Sequence, residues 1–330
     1  MRIFVYEHIT GGGFAESPLP AALLCEALLM VRALAADLRD TGARVCVLCD
    51  RRVDLGLHGI DVQVVQDGVQ AQTRFDALLS ASDAAWLIAP ETDGVLERVS
   101  QRALRAGVNL LSCHPDGVHV AASKLATAQV LQAAGVPAIA TFRPDAAPAA
   151  HAIRWVAKPD DGCGCEDTRL VADLRAAAAW IGTCERPERF VVQPFVAGQV
   201  LSLSAIARGD RAWLLSVNRQ SIDLRGDRFH FAGVLVNAVT DETGQCQRLA
   251  QRIVQAIPGL HGYFGLDLVR TEGGPIVLEV NPRLTTSYAG LRAALGINPA
   301  AVILERLQDR PADWHPLPPG ESVAIALPAA

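Results

Sequence analysis

The chain has 330 residues, 50% hydrophobic, 5% aromatic and 20% charged, a folded-protein composition with room for two or three cored units, which excludes a disordered chain. A formal charge of -5 and a pI near 5.9 exclude the basic footprint that neutralises phosphates, so no nucleic-acid partner is expected. The opening "MRIFVYEHIT" lacks a signal-peptide pattern, and the most apolar run, "AALLCEALLMVRALAADL", is broken by Glu26 and Arg32, so no membrane partner is expected either.

Strand and helix signals alternate through the first third. "RIFVYE" reads as a strand, an apolar-periodic stretch from Pro18 to about Asp40 as a helix ended by Gly42, and "RVCVLCD" as a second strand. Weaker repeats follow in "VQVVQD", "AAWLIAP", the helix-like "GVLERVSQRALRAG" and "NLLSC". This pattern predicts a parallel sheet with helices on its faces, and ligands then bind beyond the carboxyl ends of the strands, where the strand order reverses. Those ends carry Glu7, Asp50, Glu91 and the segment from Ser112 to His114.

Two features of this region have competing readings. "HITGGGF" follows a strand, yet Glu16 stands where the third glycine of a dinucleotide loop belongs. It is either a turn or a loop that lets backbone amides approach a ligand. Cys46 and Cys49 form a CxxC inside a strand, where residues three apart point to opposite faces, so a structural role is expected rather than a metal or redox pair. The eight cysteines lack the density of a disulfide scaffold, and a reducing cytoplasm is the simplest compartment.

The character changes near residue 120. "SKLATAQVLQAAGVP" reads as a short amphipathic helix ending at Gly135 and Pro137, and the Pro/Ala-rich "RPDAAPAAHA" follows. Beyond it, "RWVAKP", "TRLV", "RFVVQPF", "VLSLSAIARGDRAWLLSVN" and "FGLDLVRTEGGPIVLEVN" predict strands with antiparallel pairing. In the last of these, a hairpin turning through Glu272 to Pro275 places Asp267 roughly opposite Glu279, and period-two alternation puts Asn281 and Arg283 on the same side. Facing carboxylates repel unless a cation lies between them. Mg2+, or Mn2+ in its place, is the hard cation such oxygens hold together with phosphate, and the planar fork of Arg283 suits phosphate. The bland alternative is a polar edge strand, which leaves four polar groups at one level of an apolar hairpin unexplained.

Asp267 followed by Glu279, Asn281 and Arg283 as "ExNxR" resembles the metal and phosphate site of the ATP-grasp superfamily. The resemblance covers about residues 1 to 310. It implies an N-terminal α/β parallel-sheet domain over 1–120, of the kind that precedes ATP-grasp domains. A two-subdomain α+β ATP-grasp fold over 121–197 and 198–330 would follow. It also implies that Lys124 in "SKLATAQVL" and Lys158 in "VAKPDDGCGCEDT" bind the nucleotide, the latter before a glycine-containing loop in which Cys163 and Cys165 are small residues. That loop is no Walker A element, since GxxxxGK[ST] is absent from the chain. "RFVVQPFVAGQVLSLS" resembles the adenine-binding hinge, with Gln193 where the family often has glutamate. Ser202 or Ser204 would stand near the ribose, and Arg219 in "SVNRQS" would touch phosphate.

Within that superfamily, "VYEHITGGGF", "APETDG", "SCHPDGVHVAASKLAT" and "NPRLTTSYAGLR" resemble the tyramine-glutamate ligase group of methanofuran biosynthesis and its relatives. The resemblance implies an ATP-dependent, ADP-forming carboxylate-amine ligase working through an acylphosphate, with ATP and Mg2+ or Mn2+ as cofactors. Glutamate would be the acid, and tyramine, tyrosine or a related amine the acceptor. Lys158 and Arg283 would be catalytic. Glu7 and Glu91 would hold an ammonium group, Ser287 in "TTSYAG" a substrate carboxylate, and a homodimer is left open. Two alternatives remain: another ATP-grasp ligase, of D-alanine-D-alanine or peptide-extending type, and an ATP-binding regulatory protein without turnover.

Overall fold

A computed structural model describes residues 1–148, 154–162, 164–308 and 320–327. Cys163 and the second half of the Pro/Ala-rich segment lie outside the described residues. The first unit is a five-stranded parallel sheet of β1 (Arg2–Glu7), β2 (Arg44–Asp50), β3 (Asp61–Val65), β4 (Ala84–Ile88) and β5 (Asn109–Leu110), in the order β3-β2-β1-β4-β5. The strands are near-continuous apolar runs because both faces are covered. Helix α1 (Ala21–Asp40) packs on one face, and α2 (Gly68–Ser80) and α3 (Val95–Arg105) pack on the other. Cys46 and Cys49 fall into the two different cores, as their spacing requires. The strand order reverses between β1 and β4, so Glu7 and Glu91 flank the switch-point crevice.

The three glycines after β1 serve a turn. Gly11 N–H donates to the Glu7 carbonyl and Gly13 N–H to the His8 carbonyl, Gly12 has φ of 92°, and a Cβ on Gly13 would fall on the His8 ring. The loop wraps the end of its own strand.

Helices α4 (Pro115–Ala121) and α5 (Lys124–Ala133) lead into the second sheet. Its strands are β6 (Trp155–Pro159), β7 (Arg169–Val171), β8 (Phe190–Pro194), β9 (Gln199–Arg208), β10 (Arg211–Arg225), β11 (Arg228–Val239), β12 (Gly262–Thr271), β13 (Gly274–Asn281) and β14 (Val323–Ala326). They pair antiparallel in the order β13-β12-β9-β10-β11-β7-β6-β8, and β14 also pairs with β11. Helix α6 (Leu174–Ile181) closes a small core over β6, β7 and β8 with Trp155 and Phe190. Helix α7 (Gln245–Ala256) packs behind β9 and β10. Helices α8 (Tyr288–Leu295) and α9 (Pro299–Arg306) share a core with α1 and the first sheet. That shared core holds the end of β13 against the switch-point crevice. Among the described residues no helix is long and apolar enough to cross a membrane.

Candidate active site

Lys124 is the first residue of α5. Ser123 caps the helix by accepting from Ala126 N–H at 3.1 Å and donates to Asp160 Oδ2 at 2.9 Å, while Asp160 Oδ1 accepts from Leu125 N–H at 2.9 Å. A cap on both sides of the first turn fixes where this lysine points. Its Nζ donates to the Gly162 carbonyl at 2.7 Å and stands 3.4 Å from Glu279 Oε2; Lys158 Nζ, from β6, reaches the same oxygen at 3.4 Å. Both lysines are buried. Burial drives Lys158 below the usual lysine range, against the opposing pull of Glu279.

Asp267 and Glu279 are register partners across β12 and β13. Counted strictly from the turn, where Thr271 pairs with Gly274, Asp267 would meet Leu278. An irregularity after Asp267 inserts one residue, so that both Leu278 and Glu279 line the cleft. Burial and the facing Glu279 raise the Asp267 carboxyl. Burial would raise Glu279 too, but Lys124 and Lys158 bring it below the usual carboxylate range. Asp267 is also held by Gln220 Nε2 at 2.8 Å and Asn281 Nδ2 at 3.2 Å. Gln220 had no signal in the sequence beyond lying on a strand. Two opposed, half-buried carboxylates with neighbouring amides fit a hard divalent cation, because such a cation relieves the repulsion between them. Among the described residues no cluster of three or more His, Cys, Asp or Glu offers an alternative.

These polar groups line a cleft whose walls include Ile139, Val156, Phe195, Val200 and Leu278. Gln193 lines it, buried, with Nε2 donating to Thr141 Oγ1 at 2.9 Å. Arg219 does not line it. That residue is exposed, and its neighbour Gln220, on the other face of β10, points in. Ser202 and Ser204 are likewise absent from the cleft wall. Asn218 Nδ2 reaches both, at 3.4 and 3.2 Å, and Ser204 accepts from Tyr263 Oη at 2.9 Å in a buried network on the same face of the sheet as Asp267.

The groups at the switch point gather around Arg283. Its Nε donates to Glu91 Oε2 at 2.9 Å, an ion pair of two nearly buried side chains, while Glu91 Oε1 has no hydrogen-bond partner. Glu7 accepts from Ile9 N–H at 3.1 Å and Thr10 N–H at 2.7 Å; burial raises its carboxyl although these bonds act against the rise. Ser287 is buried just before α8 and lines none of the described cavities, whereas its neighbour Thr286 donates to Glu26 of α1. Glu26 was invisible as a site residue in the sequence, where it only interrupts an apolar helix.

A comparison with family descriptions matches residues 121–287 to an ATP-grasp domain and residues 43–118 to a pre ATP-grasp domain. The tyramine–L-glutamate ligase of Methanocaldococcus jannaschii is 26% identical over 294 residues, 88% of this chain and 84% of that one. That of Methanocaldococcus fervens is 31% identical over 237 residues, 71% of each. An ATP-grasp superfamily protein from Archaeoglobus fulgidus superposes with a TM-score of 0.72 at 21% identity, covering both chains completely. With a parallel-sheet unit feeding an antiparallel one, the chain belongs to the ATP-grasp family.

Proposed function

We propose that this ATP-grasp ligase joins the carboxylate of glutamate to tyramine or a related amine through an acylphosphate, as a step in building a methanofuran-like cofactor. The observation that carries the reading is the grip of Lys124 and Lys158 on Glu279 opposite Asp267, in a cleft that also has apolar walls. A carboxylate oxygen is a poor leaving group. Transfer of the γ-phosphoryl group of ATP to it gives ADP and an acylphosphate; the amine nitrogen then adds to the acyl carbon, loses a proton and expels phosphate. In this reading the apolar walls and Gln193 take the adenine, and Lys124 and Lys158 draw charge from the phosphates. Asp267, Glu279 and Asn281 would hold Mg2+ or Mn2+, which supplies charge neutralisation on the phosphate oxygens. Arg283, oriented by Glu91, faces the acid and the incoming phosphoryl group. The glycine-containing loop after Lys158 excludes water from the acylphosphate. Support for glutamate and tyramine comes from the two archaeal ligases matched over most of the chain.

The test is incubation with ATP, Mg2+, glutamate and tyramine, following nucleotide products and identifying the adduct by mass. ADP, phosphate and glutamyl-tyramine are expected. AMP and pyrophosphate would sink the acylphosphate route, and ADP with a different acid or amine would move the substrate assignment to another ligase of the family.

A further inference from the structure

Three described cavities meet at the loop after β6. Cys165 and Glu166 line both the lysine-ended cleft and a wide second cleft, and Gly164 lines that second cleft and a small third cavity. Leu23 and Glu26 are the side chains from the first unit that border the second and third alike. The third cavity has Leu23, Ala27, Met30, Ile88 and Pro90 as apolar walls, with Glu7, Glu26 and Arg283 as its charged groups. A Cβ placed on Gly164, whose φ is 64°, would stand 3.7 Å from Glu26 Oε1 and 3.8 Å from Leu23 Cδ2, so the loop lies directly against this carboxylate. The lysine end is close by. Burial pushes the Cys165 thiol up to about 12, and among the charges that act on it are Glu279, Lys158, Asp267 and Glu26. Glu26 therefore stands within electrostatic reach of the residue that borders the phosphate end.

The other carboxylates here are engaged differently. Glu7 is turned onto the amides of Ile9 and Thr10, and Glu91 onto Arg283. Glu26 is held through one oxygen by the Thr286 hydroxyl, and its other oxygen faces Gly164. A second carboxylate-bearing substrate is disfavoured among these acids, since Arg283 is the only cation among the described lining residues. An ammonium group on a hydrocarbon body matches both the charge and the walls.

We infer that the small cavity under the Gly164 loop is the acceptor subsite for a primary amine with an apolar body, and that Glu26 both holds its ammonium group and takes its proton as the amine attacks. The assignment rests on the ligase reading above. One N–H proton passes from the ammonium to Glu26, freeing the lone pair. As the nitrogen adds to the acyl carbon, the C–N bond forms, the C–O bond to phosphate breaks with its electron pair leaving on phosphate, and a further N–H proton is lost to solvent or phosphate. Thr286 orients the carboxylate, which makes it a positioning residue.

The test compares two nucleophiles on the full-length protein with ATP, Mg2+ and glutamate: tyramine, which arrives as an ammonium ion, and hydroxylamine, which is uncharged at neutral pH and traps an acylphosphate as the hydroxamate. Glu26→Gln should lower kcat/KM for tyramine about 100-fold more than for hydroxylamine, the size of effect a positioned acid-base group supplies. Leu23→Trp, which crowds the cavity wall and leaves the carboxylate in the chain, should raise the tyramine KM relative to that of hydroxylamine. Equal losses with both nucleophiles, or no loss with either, overturn the assignment of Glu26. An unaltered tyramine KM in Leu23→Trp overturns the cavity. If the unmodified protein forms neither hydroxamate nor ADP, the ligase reading fails first and the subsite with it.

Discussion

At one end of the active-site region, Lys158, Asp267 and Glu279 stand on strands of a single antiparallel sheet, with Lys124 brought in by a capped helix end. At the other, Arg283 meets Glu91 across 192 residues and Thr286 meets Glu26 across 260, so each contact joins the second unit to the first. The lysine end is assembled within the second unit alone, from β6 and β13, which lie far apart in its strand order. The arginine end exists only while α8 and α9 share a core with α1 and the first sheet. In the proposed reaction ATP is handled at the lysine end, and the acid and amine are recognised at the arginine end.

Substitutions can break or sharpen that contrast. Glu279→Gln should have the largest effect, a loss of turnover of about 1,000-fold with the circular dichroism spectrum retained, since it removes an electrostatic group the reacting charges rely on. The two lysines then face an amide, and full activity would remove Glu279 from any metal role. Lys158→Ala should cost about 100-fold in kcat/KM for ATP, measured as ADP release. A change confined to the amine's KM would place Lys158 at the wrong end.

Glu91→Gln should lower kcat/KM for the acid about 20-fold, because it weakens a nearly buried charge pair that orients Arg283. The KM for ATP should move much less, and an equal shift in both would erase the separation of the two ends. Gln220→Leu should be mildest, about a 10-fold loss that is partly recovered by raised Mg2+, as expected for a residue that orients the carboxylate proposed to hold the metal. Insensitivity to Mg2+ would reduce Gln220 to packing.

Legibility in the sequence followed the same division. "GPIVLEVN" and "FGLDLVRT" could be paired from their turn, and the conflict of two carboxylates at one level was visible without coordinates. "RWVAKP" placed Lys158 at a strand end, and "SKLATAQVL" placed Lys124 at the start of a helix. The residue inserted after Asp267 was not visible. A one-residue slip decides which face Glu279 occupies, and nothing in the alternation of "VLEVN" reports it. Arg219 shows the converse. The segment "SVNRQS" lies on a strand as its composition suggests, but Gln220 rather than the arginine faces the cleft.

The sequence by itself determined what local patterning encodes: a parallel unit of continuous apolar strands, an antiparallel unit of hairpins, the boundary region between them and the carboxylates and lysines at strand and helix ends. Those follow from period, capping and turn residues acting over a few positions. Tertiary structure alone decided which of the polar groups meet. Glu26 looks like a flaw in an apolar helix until α1 packs beside the segment after β13, and "HITGGGF" reads equally as a turn or a ligand loop until it folds onto His8. Contacts across hundreds of residues are fixed by the shared core that buries both units, and that core leaves no periodic trace in either segment.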